Sequence, residues 1–166
     1  MSINQDLFKQ GMRRLAASVC VITTKSVDGQ RMGLTATAVC SVTAEPPTLL
    51  CCLNRNNASY EMFRKNGIFA INVLCVDDQE IAGNFASRLS PEERFAVGNW
   101  GELVTGSPVL LSASASFDCR LSQIVEAGSH SIFIGEIQDV RVESQNADCL
   151  LYGDGGYGGF NTTACS

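Results

Sequence analysis

Few residues in this chain have the chemistry to act as catalysts or ligands. His130 is the single histidine, in a Gly128-Ser129-His130 turn between two long β-rich segments. One histidine rules out a His-His metal site. Counting alone does not exclude a Ser-His-Asp hydrolase, but there is no G-x-S-x-G elbow, and no Ser or Cys has a nucleophile's sequence context. A lone turn histidine is ordinarily surface decoration. Eight cysteines stand at 20, 40, 51, 52, 75, 119, 149 and 165, with no C-x-x-C pair. Most lie in apolar runs such as Leu50-Cys51-Cys52-Leu53, so they read as small buried hydrophobes in a reducing compartment. Gly153, Gly155 and Gly158 spell a formal G-x-G-x-x-G. Only eight residues follow Gly158. A dinucleotide fingerprint needs a helix there and an acidic residue about 20 positions on, so the glycines read as a flexible turn or a loop on the substrate side.

Two other stretches carry donors in useful places. In Gly33-Leu34-Thr35-Ala36-Thr37-Ala38-Val39-Cys40-Ser41-Val42-Thr43, small and hydroxyl residues alternate with apolar ones. A flat ring can lie close to such a backbone while amides and hydroxyls reach its polar edge. An ordinary Thr-rich strand explains the same pattern. In Leu53-Asn54-Arg55-Asn56-Asn57-Ala58-Ser59, a buried strand passes into a helix start. Free N–H groups and the helix dipole favour a phosphate at such a corner, with Arg55, Asn56 and Ser59 as further donors. Plain N-capping is the other reading. A second helix start, Asp77-Asp78-Gln79-Glu80, would repel a phosphate.

The elements that must position these residues are mostly strands. The spacing of Phe8, Met12, Leu15 and Ala16 predicts a helix over 5–17, capped by Ser2 with Gln5. Strands are predicted over 18–25 and 32–39 about an Asp28-Gly29 turn, over 48–53 after the Glu45-Pro46-Pro47 break, and over 68–75. Asn56-Asn57 caps a short helix over 58–65 that Asn66-Gly67 ends. A helix near 78–86 follows, capped by Asp77 with Glu80. Pro91 to Pro108 reads as irregular. Long strands over 113–126 and 131–143, and a short one at 149–152, complete the chain. Without regular βαβ alternation, this order favours a closed or partly closed antiparallel barrel.

The 166 residues suit one domain, here 1–166 with a glycine-rich tail at 153–166. Twelve basic and 17 acidic residues leave a net charge of −5, which argues against nucleic acid or an anionic membrane as main partner. Met1 to Asp6 lacks the features of a signal peptide, and no apolar run is long enough for a membrane span, so a cytoplasmic location is expected.

Several stretches resemble the short flavin reductase family, the reductase components of two-component flavin-dependent monooxygenases. They are VCVITTK (19–25), GLTATAVCSVTAEPPTLLCCLNRNNASYEMF (33–63), FAINVL (69–74), SPEERF (90–95), SFDCRLSQIVEAGSHSIFIGEI (116–137) and LLYGDGGYGGF (150–160). The resemblance implies a mainly β, Greek-key FMN-binding split barrel that forms a homodimer with flavin near the subunit interface. It implies NADH-dependent reduction of FMN or FAD, with reduced flavin passing to a separate monooxygenase. Carried across, Thr35, Ala36 and Thr37 line the flavin ring, with Ser41, Val42 and Thr43 beside them. Asn54, Arg55, Asn56 and Ser59 hold the ribityl-phosphate end, and Phe85 and Arg88 approach the flavin tail. His130 falls beside the nicotinamide as the catalytic-site residue, and Tyr157 closes over the pocket. Family members often carry basic residues just before that aromatic. Here the run is Gly153-Asp154-Gly155-Gly156-Tyr157, with no positive charge for the extra phosphate of NADPH. No metal is implied. The alternatives are a flavin-binding or flavin-delivery barrel without reductase activity, and an unrelated small-ligand barrel.

Overall fold

The computed structural model describes residues 3–143 and 148–160. Its strands are β1 (Ala17–Ser18), β2 (Cys20–Lys25), β3 (Arg31–Ala36), β4 (Val39–Ala44), β5 (Pro47–Asn54), β6 (Ile68–Val73), β7 (Trp100–Glu102), β8 (Pro108–Leu110), β9 (Ala115–Ala127), β10 (His130–Val142), β11 (Leu150–Gly153) and β12 (Gly156–Gly159). The helices are α1 (Gln5–Arg13), α2 (Tyr60–Asn66), α3 (Gln79–Ala86) and α4 (Pro91–Phe95).

Seven strands form one antiparallel sheet in the order β3-β2-β6-β9-β10-β5-β4. Its edge strands β3 and β4 are consecutive in the chain and joined only by Thr37 and Ala38. That short link forces the sheet to curl until its edges approach. No ladder joins β3 to β4 among the described strands, so the sheet stays open there: of the closed or partly closed barrel expected, the closed form is not made.

Strand β2, next to the sheet edge, is buried on both faces, and its alternation, continued back to Val19, divides the core. Cys20 and Ile22 face a cluster with Leu53, Phe63, Phe69, Ile71 and Phe133. Val19 and Val21 face a second cluster with Leu74, Ile81, Phe85, Phe95, Leu110 and Leu150. Asn72 lies fully buried with its amide satisfied: Nδ2 donates to the Val21 carbonyl at 3.0 Å, and Oδ1 accepts from Leu110 N at 2.8 Å and Ser116 Oγ at 2.9 Å.

Several expectations change. α1 ends at Arg13 rather than 17, and Asn4 caps it by accepting from the N–H groups of Asp6 and Leu7. The expected Ser2 cap lies outside the described residues. The predicted strand over 32–39 divides into β3 and β4. The segment expected to be irregular between Pro91 and Pro108 contains α4 and β7, and β8 begins at Pro108. α4 is fixed by a capping box between Ser90 and Glu93 with Pro91 in its first turn. α3 follows a single 3-10 turn, and Asp78 rather than Asp77 is its N-cap residue; the Asp78 carboxylate closes the capping box of the 3-10 turn, accepting from Cys75 N at 3.0 Å, and also accepts from Ser112 Oγ at 2.8 Å.

The glycine cluster is not a loose turn. Asp154 and Gly155, at φ 50° and 84°, make the tight turn of a hairpin between β11 and β12. Both φ values are positive, which suits a two-residue Asp-Gly hairpin turn. Gly153 lets that hairpin press on Ala16, since a Cβ there would stand 3.1 Å from the Ala16 Cβ. Among the described cysteines, Cys20, Cys51, Cys75 and Cys119 are buried as expected, whereas Cys40 is exposed on the edge strand β4. Burial pushes the Cys20 and Cys119 thiols up to about 12 and raises Cys51 further. No described helix is long and apolar enough to cross a membrane.

Candidate cofactor cleft

The link between the sheet edges opens a cleft of about 330 Å³ lined by Val19, Thr35, Ala36, Thr37, Ala86, Tyr152 and Tyr157. Three of these residues were expected from the Thr-rich strand, and Tyr157 from the tail. Tyr152 was not expected. It sits opposite Tyr157 in the β11–β12 ladder, and the rings meet edge-to-face at 5.5 Å. Both residues stand partly open, 40% and 45% exposed.

The cleft's floor is set by an approach of α3 to β3. Gly33 faces the Phe85 ring so closely that a Cβ would stand 2.6 Å from Cε1. Thr35 Oγ1 donates to the Ala82 carbonyl at 2.7 Å. That hydroxyl is therefore engaged with α3, leaving Thr37 as the exposed hydroxyl of the pair. Phe85 is 2% exposed and packs at 5.0 Å against Phe95 and 5.4 Å against Trp100. It anchors α3 and has no free face, so the structure does not bring it to the cleft. Arg94 does the same work from α4, where Nη1 donates to the Gly33 carbonyl at 2.9 Å and Nη2 to the Ser87 carbonyl at 2.7 Å. These bonds hold the turn that presents the exposed Arg88. Sequence reasoning missed Arg94, whose role depends on contacts 61 residues apart.

Ser41, Val42 and Thr43 lie exposed along β4. Because β3 and β4 end the sheet order, each leaves one side of its backbone without a strand partner. Small side chains, unpaired edge amides and exposed hydroxyls together suit a flat group with polar edges. The cleft also falls within the roughly 300–1,000 Å³ of small-molecule sites.

The second expected group assembles where β5 meets the β9–β10 hairpin. His130 pairs with Asn54 in the β10–β5 register, and Arg55 N donates to the Ser129 carbonyl at 2.9 Å. His130 Nδ1 is 2.9 Å from Ser129 Oγ. The Arg55 guanidinium lies 3.4 Å from the Glu126 carboxylate and 3.5 Å from the Gly128 carbonyl. Asn54 Oδ1 accepts from Asn56 N, and Asn57 Oδ1 accepts from Ser59 N, each at 2.9 Å, which shapes the corner before α2. Ser59 is 1% exposed, so this corner presents Asn54, Arg55 and Asn56 more openly than Ser59. β5 connects the two groups, because Cys52 N donates to the Ala38 carbonyl at 3.0 Å, two residues before Asn54. No hydrogen bond joins His130 to Tyr157 among the described residues.

A β protein with a small-residue cleft at the split of its sheet, and an amide-rich corner two residues along β5, suits a planar ligand that carries an anionic tail. The comparisons with known proteins agree with that class. The flavin reductase like domain matches residues 12–161. The FMN reductase (NADH) RutF of Pseudomonas syringae pv. syringae strain B728a is 46% identical over 151 residues, 91% of this chain and 84% of that protein. A protein of Haemophilus somnus 129PT, solved as a candidate flavin reductase, superposes with a TM-score of 0.91 at 40% identity over 95% of this chain and 100% of its own. BorF, the flavin reductase component of a bacterial two-component tryptophan halogenase, gives a TM-score of 0.85 at 28% identity over 94% of this chain and 98% of its own. This chain belongs to the flavin reductase-like domain family.

Proposed function

We propose that this protein is an NADH-dependent flavin reductase of the split-barrel type that releases reduced flavin to a separate flavin-dependent monooxygenase. The single observation that carries the reading is the cleft at the β3–β4 split, in a chain 46% identical to an FMN reductase (NADH). When bound, flavin supplies the acceptor for the hydride that NADH carries.

The chain's own residues then position and polarise. Ala36, Thr37 and Ala86 let a ring approach the backbone closely. Edge amides of β3 and β4, with the Thr37, Ser41 and Thr43 hydroxyls, donate to the ring's polar edge and stabilise negative charge that develops there. Val42 packs beside them. Asn54, Arg55 and Asn56, with Ser59 behind, take the anionic tail, and Arg88 approaches it from the turn that follows α3. His130 orients the nicotinamide and transfers no proton. Tyr157, backed by Tyr152, covers the open side. FMN is the favoured flavin and FAD the alternative. The absence of Lys or Arg from the 153–158 hairpin favours NADH over NADPH.

The reading includes one domain over 1–166, a cytoplasmic location for its free thiols, and a homodimer. The dimer has support in α1, none of whose residues is buried, while Leu7, Phe8, Met12 and the following Leu15 stand 50–65% exposed. A second copy would cover such a face. One mixture tests the activity: purified protein with NADH and FMN in air, followed at 340 nm. Rapid loss of absorbance is expected. A protein that binds FMN but leaves NADH intact would replace the reductase with a delivery module.

A further inference from the structure

Cys75 and Cys149 occupy facing positions on two neighbouring segments. An isolated antiparallel bridge pairs them. The flanking hydrogen bonds are Val76 N to the Asp148 carbonyl at 3.0 Å and Leu150 N to the Leu74 carbonyl at 2.8 Å. Because the bonds come from the residues on either side, the cysteines form a non-hydrogen-bonded pair, the kind in which Cα atoms stand about 4.5 Å apart and side chains lie closest. That separation falls within the roughly 4.4–6.8 Å that a disulfide spans. Both thiols are free, one buried and one half-buried.

The two sulfurs differ in a way that orders their chemistry. Cys75 is 9% exposed, and its Sγ donates to the Ser112 carbonyl at 3.1 Å. Burial first, and then the Asp78 carboxylate, pushes that thiol up to about 11. Cys149 has Ser114 Oγ at 3.5 Å and is half-buried, more accessible than Cys75. Cys149 is thus the sulfur that a small oxidant reaches, and Cys75 the one that resolves. Cys149 also immediately precedes β11, which carries Tyr152 on the cleft.

We propose that Cys75 and Cys149 form a redox-active pair that closes to an intramolecular disulfide under peroxide and staples β11 to the end of β6. Hydrogen peroxide oxidises the Cys149 thiol to a sulfenic acid and is itself reduced to water. The Cys75 sulfur then attacks that sulfur, the S–S bond forms, and the hydroxyl leaves with the Cys75 proton as a second water. The cellular peroxide is that formed when reduced flavin meets oxygen, so this part rests on the reductase reading; the pairing itself does not.

The test treats the full-length protein with added hydrogen peroxide, with no flavin or NADH present. Non-reducing peptide mapping should find a Cys75–Cys149 cross-link, and thiol titration of the denatured chain should lose two of eight thiols, both restored by dithiothreitol. Cys149→Ser should abolish the cross-link. Amide exchange across Leu150–Tyr157 should slow in the oxidised wild type but not in that variant. Oxidation of Cys149 to higher acids with Cys75 still free, or pairing of Cys149 with Cys20 or Cys165 instead, would overturn the proposal. A cross-link that leaves amide exchange unchanged would overturn the staple. Since added peroxide drives the mapping, failure of the reductase reading shows separately in the 340 nm assay.

Discussion

Gly33→Ala tests how the cleft is built. The new Cβ would stand 2.6 Å and 2.9 Å from Phe85 ring carbons and 3.1 Å from the Ile22 carbonyl. Phe85 cannot swing away, because Phe95 and Trp100 hold it from the other side. α3 must therefore lift from β3. Overpacking of this kind costs about 1–3 kcal/mol. Lifting α3 also lengthens the 2.7 Å bond from Thr35 to the Ala82 carbonyl, worth about 0.5–1.5 kcal/mol. The total is about 1.5–4.5 kcal/mol, or a fall in Tm of roughly 3–18 °C for a chain of this size. Thermal unfolding followed by circular dichroism reads that change, and flavin titration reads the cleft. Flavin affinity should fall too, since Ala86 and Arg88 move with α3. Pairing Gly33→Ala with Phe85→Leu should recover part of the loss, because the smaller side chain makes room. A Gly33→Ala protein with wild-type Tm, or a double variant whose losses simply add, would refute the argument that Gly33 and Phe85 set the position of α3.

Three other outcomes follow from the site and the core. His130→Ala should lose most NADH oxidation while keeping most flavin binding; unchanged turnover would remove His130 from the nicotinamide site. Replacing Arg55 and Ser59 together should weaken FMN more than riboflavin, which lacks the phosphate, and equal losses would reject the tail site. Asp118 is fully buried, and burial pushes its carboxyl up despite the bonds it accepts from Thr105 N and Oγ1. A raised folded-state value means that the protonated form favours the fold. Its contribution is present below the unfolded value, about 3.9, and is lost as pH rises through the folded one. Denaturant titrations of Asp118→Asn should show a flatter stability profile across that window than wild type; an identical slope would assign the pH dependence elsewhere.

Local pattern made the strands legible but not their closest approaches. The β-branched runs around Val19–Lys25 and Ile68–Val73 could pack only as strands, and both are strands. The start of α4 was also written locally, since Ser90, Pro91 and Glu93 make a capping box with a first-turn proline. Its five residues carry too little apolar periodicity to read as a helix. The Asp154-Gly155 turn is equally local, an Asp-Gly pair that favours a tight hairpin, although the glycine spacing reads only as a flexible turn or loop. The engagement of Thr35 with Ala82, the burial of Phe85 and the hold of Arg94 on Gly33 were beyond local reading. Each depends on how closely α3 and α4 approach β3, which only the packed core determines. His130 and Arg55 came together for a different reason: β5 and β10 pair over seven residues, and that register brings the end of one strand to the start of the other.

Charge at the cleft distinguishes Arg88 from Arg55. The chain has twelve Lys and Arg residues against a net charge of −5, so few cations are free to meet an anionic ligand. Arg14, Lys25, Arg55, Arg64 and Arg141 each lie in an ion pair. Arg94 is committed to carbonyls, and Arg31 lies 4.5 Å over the Phe95 ring. Arg88, two residues beyond the cleft-lining Ala86, has no ion pair among the described residues. A phosphate that reaches Arg55 must displace Glu126 at 3.4 Å, whereas one that reaches Arg88 displaces only water. An exposed ion pair is worth about 0–1 kcal/mol, so Glu126 lowers phosphate affinity at Arg55 by up to about fivefold. Arg88→Gln should therefore cost at least as much FMN affinity as Arg55→Gln. Glu126→Gln should tighten FMN by up to about fivefold and leave riboflavin unchanged. All three differences should shrink in high salt, because the groups are exposed. Isothermal titration with both flavins at two salt concentrations measures them. A normal FMN affinity for Arg88→Gln beside a tenfold loss for Arg55→Gln would show that the tail is held at the β5 corner alone.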